Sequence, residues 1–226
     1  MPNALYLAST WVIPVILAIT LHEAAHAFVA RFLGDDTASK LGRVSLNPFK
    51  HIDPVGTILL PGLLLLARSP FLFGYAKPVP VKFAALRNPR RDMAWVAAAG
   101  PAMNIALAII AALGFHLIGF LPADSGQWVA QNLKNALIIN VVLAIFNLFP
   151  LPPLDGGRIA VGLLPDVLAK PLARMERYGM IILIALLIVL PMLGKNSGVE
   201  LSIISRLLTI ASSAVIDLIL RMTGNL

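Results

Sequence analysis

Long apolar runs decide what this chain can fold into, because several of them are long enough to cross a membrane. Residues Ala4 to Leu21 contain no charged side chain. As a helix, the predicted first span, Leu5 to Leu33, is about 43 Å long, against about 30 Å for the hydrocarbon core of a bilayer. Charged residues make up 13% of the chain, whereas a soluble domain carries about 25%. We therefore expect an all-α polytopic membrane protein.

Further apolar segments predict about five to six transmembrane helices in all. Residues 52–74 are interrupted by Pro61, Gly62 and Arg68 and have basic residues on both sides. The positive-inside rule then places both flanks on one side, so we expect a re-entrant segment or a hairpin. A short polar loop is expected at 122–134. The full spans after the first are predicted at residues 93–121, 131–149, 179–193 and 201–220.

Two segments that lie between the first two full spans predict a small membrane-associated β element. Residues 41–46 have the length of a short strand. Residues 76–81 resemble an edge strand, because Pro78 and Pro80 cannot donate ladder hydrogen bonds. Ordinary loops are the alternative interpretation of both segments. Residues 1–226 are expected to form a single membrane-embedded domain.

The basic residues predict which ends of the spans face the cytoplasm. Fourteen of the eighteen Lys and Arg residues lie in segments 31–53, 68–91 and 156–178. In a soluble protein a net charge of +7 would favour nucleic acid as a partner. In a membrane protein it indicates cytoplasmic loops, which are enriched in Lys and Arg. We therefore expect no nucleic-acid partner, and polar motifs that meet near the cytoplasmic side.

The first span carries a metal-binding pattern. Residues 22–26 read H-E-A-A-H, and side chains four positions apart share one face of a helix, so His22 and His26 can hold one ion from the same side. Glu23 lies beside that face, within reach of a water molecule at the metal. Ionisable residues inside a membrane are energetically expensive and usually functional. A chance occurrence of the pattern in a core helix is the alternative.

A third ligand is expected from a helix that is broken at membrane depth. Residues 147–157 read N-L-F-P-L-P-P-L-D-G-G, and such breakers predict unwound backbone, which a membrane tolerates only where protein or a cavity covers it. Asp155 lies in this segment, although a helix-capping role before Gly156 and Gly157 is the alternative. The chain has no cysteine, so His, Asp or Glu must hold any zinc ion.

Three such ligands and a nearby carboxylate predict a specific chemistry. Catalytic zinc keeps three protein ligands and one open position for water. Glu23 is suitably placed to accept a proton from that water and to return it to a leaving amine. One zinc ion per chain and hydrolysis of a peptide bond are therefore expected.

These motifs resemble the site-2 protease family of intramembrane zinc metalloproteases. The residues that carry the resemblance are H-E-A-A-H at 22–26, A-A-G-P-A-M-N at 98–104 and the broken segment at 147–157. Segments 42–57 and 76–81 look like the compact prokaryotic branch of that family. Many relatives carry a PDZ or CBS domain, and this sequence has no length for either, so we expect neither.

The resemblance also implies roles for individual residues. It implies His22, His26 and Asp155 as metal ligands and Glu23 as the catalytic residue. It implies that Asn147 helps to hold the substrate or the developing oxyanion. At the same substrate-binding site it implies a neighbouring helix shaped by Gly100, Pro101 and Asn104.

Substrates and location follow from the resemblance as further expectations. It implies regulated intramembrane proteolysis of single-span membrane proteins, in the lipid bilayer of a prokaryotic cytoplasmic membrane. The oligomeric state stays open. A metal transporter with the same ligands is the alternative, although the outer halves of the helices look nearly featureless. A zinc-stabilised structural protein would need a fourth ligand, for which His51 is the candidate.

Overall fold

The computed structural model describes residues 4–51, 53–59, 63, 77–189 and 203–226. Helices make up most of this part, as the apolar runs predict, with short 3-10 or π-helical turns at Pro48–Lys50, Pro54–Leu59, Phe83–Ala85, Phe115–Phe120 and Ala185–Val189. The α-helices are α1 (Ala4–Phe32), α2 (Thr37–Lys40), α3 (Pro89–Gly114), α4 (Ala123–Asn147), α5 (Asp155–Leu163), α6 (Asp166–Ile184) and α7 (Ile203–Met222).

Three helical segments in the described residues are long and apolar enough to cross a membrane. They are Ala8–Phe32, Pro89–Phe120 and Ala123–Asn147. The predicted total of five to six rests further on residues 52–74 and 179–193, which lie partly outside the described residues, and on residues 201–220, where α7 is found.

Helix α3 lies at the centre and packs against α1, α4 and α5. Small side chains allow these helices to approach closely, as is usual in membrane bundles where lipid supplies no hydrophobic drive for helix association. The principal core cluster joins α3, α4 and α7 and consists of Ala108, Ala111, Ala112, Leu137, Val141 and Ile219.

Two predicted loops are helical instead. Helix α4 begins at Ala123 rather than near Gln131, because its first turns are stabilised by their own polar side chains. Trp128 Nε1 donates to Ser9 Oγ on α1 at 3.0 Å, and Asn132 Nδ2 donates to the Trp128 carbonyl at 3.0 Å. Similarly, the basic segment after Arg158 forms α5 and the amphipathic helix α6 rather than an open loop.

The described residues of the predicted β element form no strand. Residues 41–46 form a turn and irregular backbone, and residues 77–82 are extended but have no ladder partner. The reason is that N–H groups of the extended segment donate to acceptors that do not belong to a strand. Lys77 N–H donates to the His51 carbonyl at 3.0 Å, and Lys82 N–H donates to Asp35 Oδ2 at 2.6 Å.

Asp35 anchors this extended segment to the end of α1. Burial raises the pKa of its carboxyl group, but hydrogen bonds from Thr37 and from Lys82 N–H outweigh burial and hold that pKa below its ordinary value. The carboxylate is therefore charged at neutral pH, when its hydrogen bonds are strongest. Arg87 N–H, which donates to the Leu33 carbonyl at 3.0 Å, adds a second tie.

Candidate metal centre

Three side chains from two helices converge in the buried interior. His22 and His26 project from one face of α1, with their Nε2 atoms 3.0 Å apart. Asp155, the first residue of α5, brings Oδ2 to 3.2 Å from His22 Nε2 and 3.3 Å from His26 Nε2. All three residues are buried. In the described part of the chain they form the one cluster of His, Asp or Glu with the spacing of a metal site.

The hydrogen bonds at the Nδ1 atoms show which nitrogen of each imidazole carries the proton. His26 Nδ1 lies 2.7 Å from the Val96 carbonyl oxygen, and His22 Nδ1 lies 2.6 Å from Asn104 Oδ1. Both oxygens can only accept a hydrogen bond, so both Nδ1 atoms are donors. In neutral histidine the Nε2 atoms then present lone pairs to one another and to Asp155.

Three lone-pair atoms within 3.3 Å of one another repel unless a positive charge lies between them. A proton bridges only two such atoms, whereas a metal ion binds all three. Tetrahedral zinc with nitrogen and oxygen ligands at about 2.0–2.2 Å has ligands about 3.3–3.6 Å apart. The donor set therefore fits zinc, the two contacts to Asp155 come close to this spacing, and the contact between the two histidines is slightly shorter. Asp155 Oδ2, which is buried without a conventional hydrogen bond, fits as a ligand oxygen.

Glycine at position 100 makes room for this centre. Helix α3 passes so close to α1 that a Cβ atom on Gly100 would lie 2.5 Å from Nε2 of His22 and 2.5 Å from Nε2 of His26. Real Cβ atoms essentially never approach other heavy atoms so closely. Any side chain at this position would fill the space between the histidines.

The proline-rich break before α5 brings Asp155 to the histidines. The chain turns back over the helix start, so a Cβ on Gly156 would lie 2.2 Å from the Leu148 carbonyl oxygen, and one on Gly157 would lie 2.2 Å from Pro152 N. These two glycines therefore allow the turn to pack on α5. The break places the carboxylate at a helix N-terminus, where negative charge is favourable.

Glu23 is half-buried beside the three-residue centre. Its Oε2 accepts a hydrogen bond of 2.7 Å from Val79 N–H. The extended segment 77–82 thus holds one oxygen of this carboxylate, and Oε1 has no hydrogen-bond partner among the described residues.

The other residues implied by the family resemblance are distributed around the centre. Pro101 is buried within α3. Asn104 is fully buried, and its amide is engaged with His22, with the Ala18 carbonyl and with Asn140. Asn147 lies in the last turn of α4 and donates from Nδ2 to the Leu143 carbonyl at 3.0 Å.

His51, the candidate fourth ligand, is buried and lies outside the cluster. Its Nε2 makes a 2.8 Å contact with the Ser45 carbonyl oxygen.

Three contributors to the centre are absent from the residues predicted from the sequence, and two of them carry no sequence signal. Val96 and Val79 act through backbone groups, which no residue pattern reports. Asn140 hydrogen-bonds to Asn104, and its signal was available, because a lone amide in an apolar span usually has a partner.

Comparison with known proteins identifies similar chains. The model of "Peptidase family M50" matches residues 122–190, which include Asp155 but not α1. "Putative zinc metalloprotease YwhC" of Bacillus subtilis is 41% identical over 184 residues, which cover 78% of this chain and 79% of that protein. "Putative zinc metalloprotease Rip2" of Mycolicibacterium smegmatis is 30% identical over 174 residues, or 76% and 64% of the two chains. No solved structure matches the chain.

The close approach at Gly100 generates the first prediction. Gly100→Ala places a methyl group between the two histidines, so purified protein should lose nearly all of the roughly one zinc ion per chain that a three-ligand site holds. Gly119→Ala is the matched control, since a Cβ there meets nothing within 4 Å. Zinc content is measured by elemental analysis on monodisperse protein. Full zinc occupancy in Gly100→Ala would show that the metal binds elsewhere.

Proposed function

This chain belongs to peptidase family M50, the site-2 protease family of zinc metalloproteases, and we propose that it hydrolyses peptide bonds in or near the transmembrane segments of other membrane proteins. One observation carries the proposal. It is the set of three lone-pair atoms on His22, His26 and Asp155, held among helices long enough to cross a membrane.

In this proposal the three side chains hold one zinc ion through His22 Nε2, His26 Nε2 and Asp155 Oδ2. Zinc, when bound, polarises a peptide carbonyl and makes a water molecule more acidic. Asn104 and the Val96 carbonyl hold the imidazoles through Nδ1, which fixes ring orientation and makes the Nε2 atoms better ligands. Burial keeps competing water away from the ligand atoms.

Glu23 acts as the general base of the proposed reaction. Its carboxylate accepts the proton of the attacking water and passes it to the amine that leaves. The hydrogen bond from Val79 N–H supports this assignment, since it fixes the carboxylate through Oε2 and leaves Oε1 for the proton. The half-buried position of Glu23 supports access of water from one side.

The proposed substrates are single-span membrane proteins that unwind locally before they are cut. Peptide groups of an intact helix are engaged in i to i−4 hydrogen bonds. Hydrolysis needs an exposed carbonyl, and freed backbone groups are energetically expensive in lipid. Spans that contain Gly, Pro or Asn should therefore be cut faster than uniform leucine spans.

Buried polar side chains within the helices bear on the transporter alternative. The outer half of α1 is not featureless, because Thr10 is buried there, and Asn135 is buried at the middle of α4. The Asn135 and Asn140 side chains donate to backbone carbonyls of Thr10 and Ala136. Such bonds fix helices to one another or to themselves and provide no free ligand for a metal ion in transit. The enzyme proposal is therefore favoured.

The second prediction tests the general base. Glu23→Gln keeps the shape of the side chain but cannot accept the proton, so cleavage should fall by about 10²- to 10⁴-fold while zinc content stays unchanged. Glu176→Gln is the matched control, since Glu176 is exposed and pairs with Arg158 at 3.1 Å. Protein reconstituted in liposomes is incubated with single-span test substrates, with and without chelator.

Two results of this assay would contradict the proposal. Near-normal cleavage by Glu23→Gln would remove Glu23 as the base. Equal cleavage of matched spans with and without Gly, Pro or Asn would remove the unwinding requirement.

The third prediction concerns orientation in the membrane. The distribution of basic residues supports a cytoplasmic location for the metal-proximal ends of α1, α3 and α4. The chain has no cysteine, so Arg87→Cys, Lys170→Cys and Ser125→Cys each carry one thiol at an exposed position. An impermeant thiol reagent should label the first two only from the inner face and Ser125→Cys only from outside. Outside labelling of Arg87→Cys would overturn this orientation.

A further inference from the structure

A line of buried hydrogen bonds connects His22 to a residue that does not touch the metal centre. Asn104 on α3 and Asn140 on α4 are 0% and 3% exposed. Asn104 Nδ2 donates to Asn140 Oδ1 at 2.8 Å, and Asn104 Oδ1 accepts from His22 Nδ1 at 2.6 Å. Asn140 thus reaches His22 through one intervening amide.

Two backbone carbonyls determine how both amides are turned. Asn140 lies 2.9 Å from the Ala136 carbonyl, which only accepts, so Nδ2 must face it and Oδ1 must face Asn104. Asn104 lies 3.2 Å from the Ala18 carbonyl, and this contact also requires its Nδ2 on that side. Both contacts leave Oδ1 of Asn104 facing His22.

The orientation of Asn104 sets the tautomer of His22. With Oδ1 toward the ring, Nδ1 carries the proton and Nε2 presents a lone pair to the metal. If the amide were reversed, its NH₂ group would face Nδ1 and force the proton onto Nε2. That proton would then occupy the direction in which a metal ligand needs its lone pair.

We propose that Asn140 is a positioning residue for zinc binding: its Oδ1 holds the Asn104 amide in the one orientation that keeps the Nε2 lone pair of His22 available to the metal. The inference rests on the proposed ligand role of His22 and adds a determinant from a fourth helix, α4, to those from α1, α3 and α5. The Asn104 to Asn140 bond is shorter than the 3.2 Å contact to Ala18, so the Ala18 carbonyl alone holds the amide less firmly.

Asn135 provides a matched comparison on the same helix. It is 2% exposed, its Nδ2 donates to the Thr10 carbonyl of α1 at 2.9 Å, and its Oδ1 accepts from Gln131 at 2.9 Å. Like Asn140, it therefore donates to a backbone carbonyl and accepts from a side-chain amide. Its bond to the Thr10 carbonyl joins α4 to the backbone of α1. None of its hydrogen bonds in the described residues leads to His22.

The experiment compares zinc affinity, measured by competition with a chromophoric chelator, across variants of the full chain in detergent. Asn104→Leu should weaken zinc binding by about 10- to 100-fold, as is typical for loss of a partner of a metal-bound histidine. Asn140→Leu should weaken it by about 10-fold, the lower end of that range, because it acts through Asn104. The double variant should bind no more weakly than Asn104→Leu alone.

Three controls separate positioning from general stability. Asn135→Leu should keep wild-type zinc affinity even if it lowers the melting temperature. Asn140→Asp should restore affinity, because a buried protonated carboxyl donates to the Ala136 carbonyl and accepts from Asn104 as the amide does. Asn140→Ala removes the same acceptor and replaces Asn140→Leu if the larger side chain prevents folding.

The outcomes distinguish this inference from the proposed function. Wild-type affinity in folded Asn140→Leu or Asn140→Ala, together with loss of zinc in His22→Ala, would overturn the positioning role and leave the metal centre standing. An equal loss of zinc affinity in Asn135→Leu would show that Asn140 acts only through helix packing, and this result would also overturn the positioning role. Zinc retained by His22→Ala would instead contradict the proposed function itself.

Discussion

The convergence of three lone-pair atoms, on His22, His26 and Asp155, is the constraint on which the rest of the site depends. In a buried, weakly screened setting these atoms repel one another unless a cation lies between them. Both Nδ1 protons are already donated to Asn104 and to the Val96 carbonyl, and a further proton on one Nε2 would bridge only two of the three atoms. A bound metal ion therefore stabilises the arrangement, and the fold must hold the ligands in place against their mutual repulsion.

Helix α3 fixes the positions of the two histidines. Its glycine at position 100 allows contact with both imidazoles, its Asn104 and Val96 orient them, and its alanine-rich face packs against α4 and α7. The break before α5 then brings the carboxylate from the opposite side. In membranes, where lipid is as apolar as the helix surfaces, small residues and interhelical hydrogen bonds replace the hydrophobic effect as the source of association. The polar groups that build the site thus also help to assemble the helices around it.

The convergence of His22, His26 and Asp155 could be predicted from the sequence because each has a local signature. His22 and His26 have helical spacing, and Asp155 follows a run of helix breakers in an apolar context. The start of α4 could not be predicted, because a polar stretch is typical of a loop. In the structure its side chains hydrogen-bond to Ser9 and to the α4 backbone, and the sequence does not show these partners. The β element is not confirmed in the described residues for a related reason: residues 76–81 have the composition of an edge strand, but the N–H groups of Lys77, Val79 and Lys82 go to His51, Glu23 and Asp35. Contacts made by backbone groups over long sequence separations leave no residue pattern.

X-ray absorption at the zinc edge of the purified, membrane-reconstituted protein tests the central claim most directly. The account predicts nitrogen and oxygen ligands only, at about 2.0–2.2 Å, with scattering from two imidazoles, and loss of the zinc signal in His26→Ala, as in His22→Ala. The chain contains four histidines, so a third or fourth imidazole at the metal would show that His51 or His116 is a ligand. That result, or a spectrum unchanged in His26→Ala, would contradict a centre built from His22, His26 and Asp155.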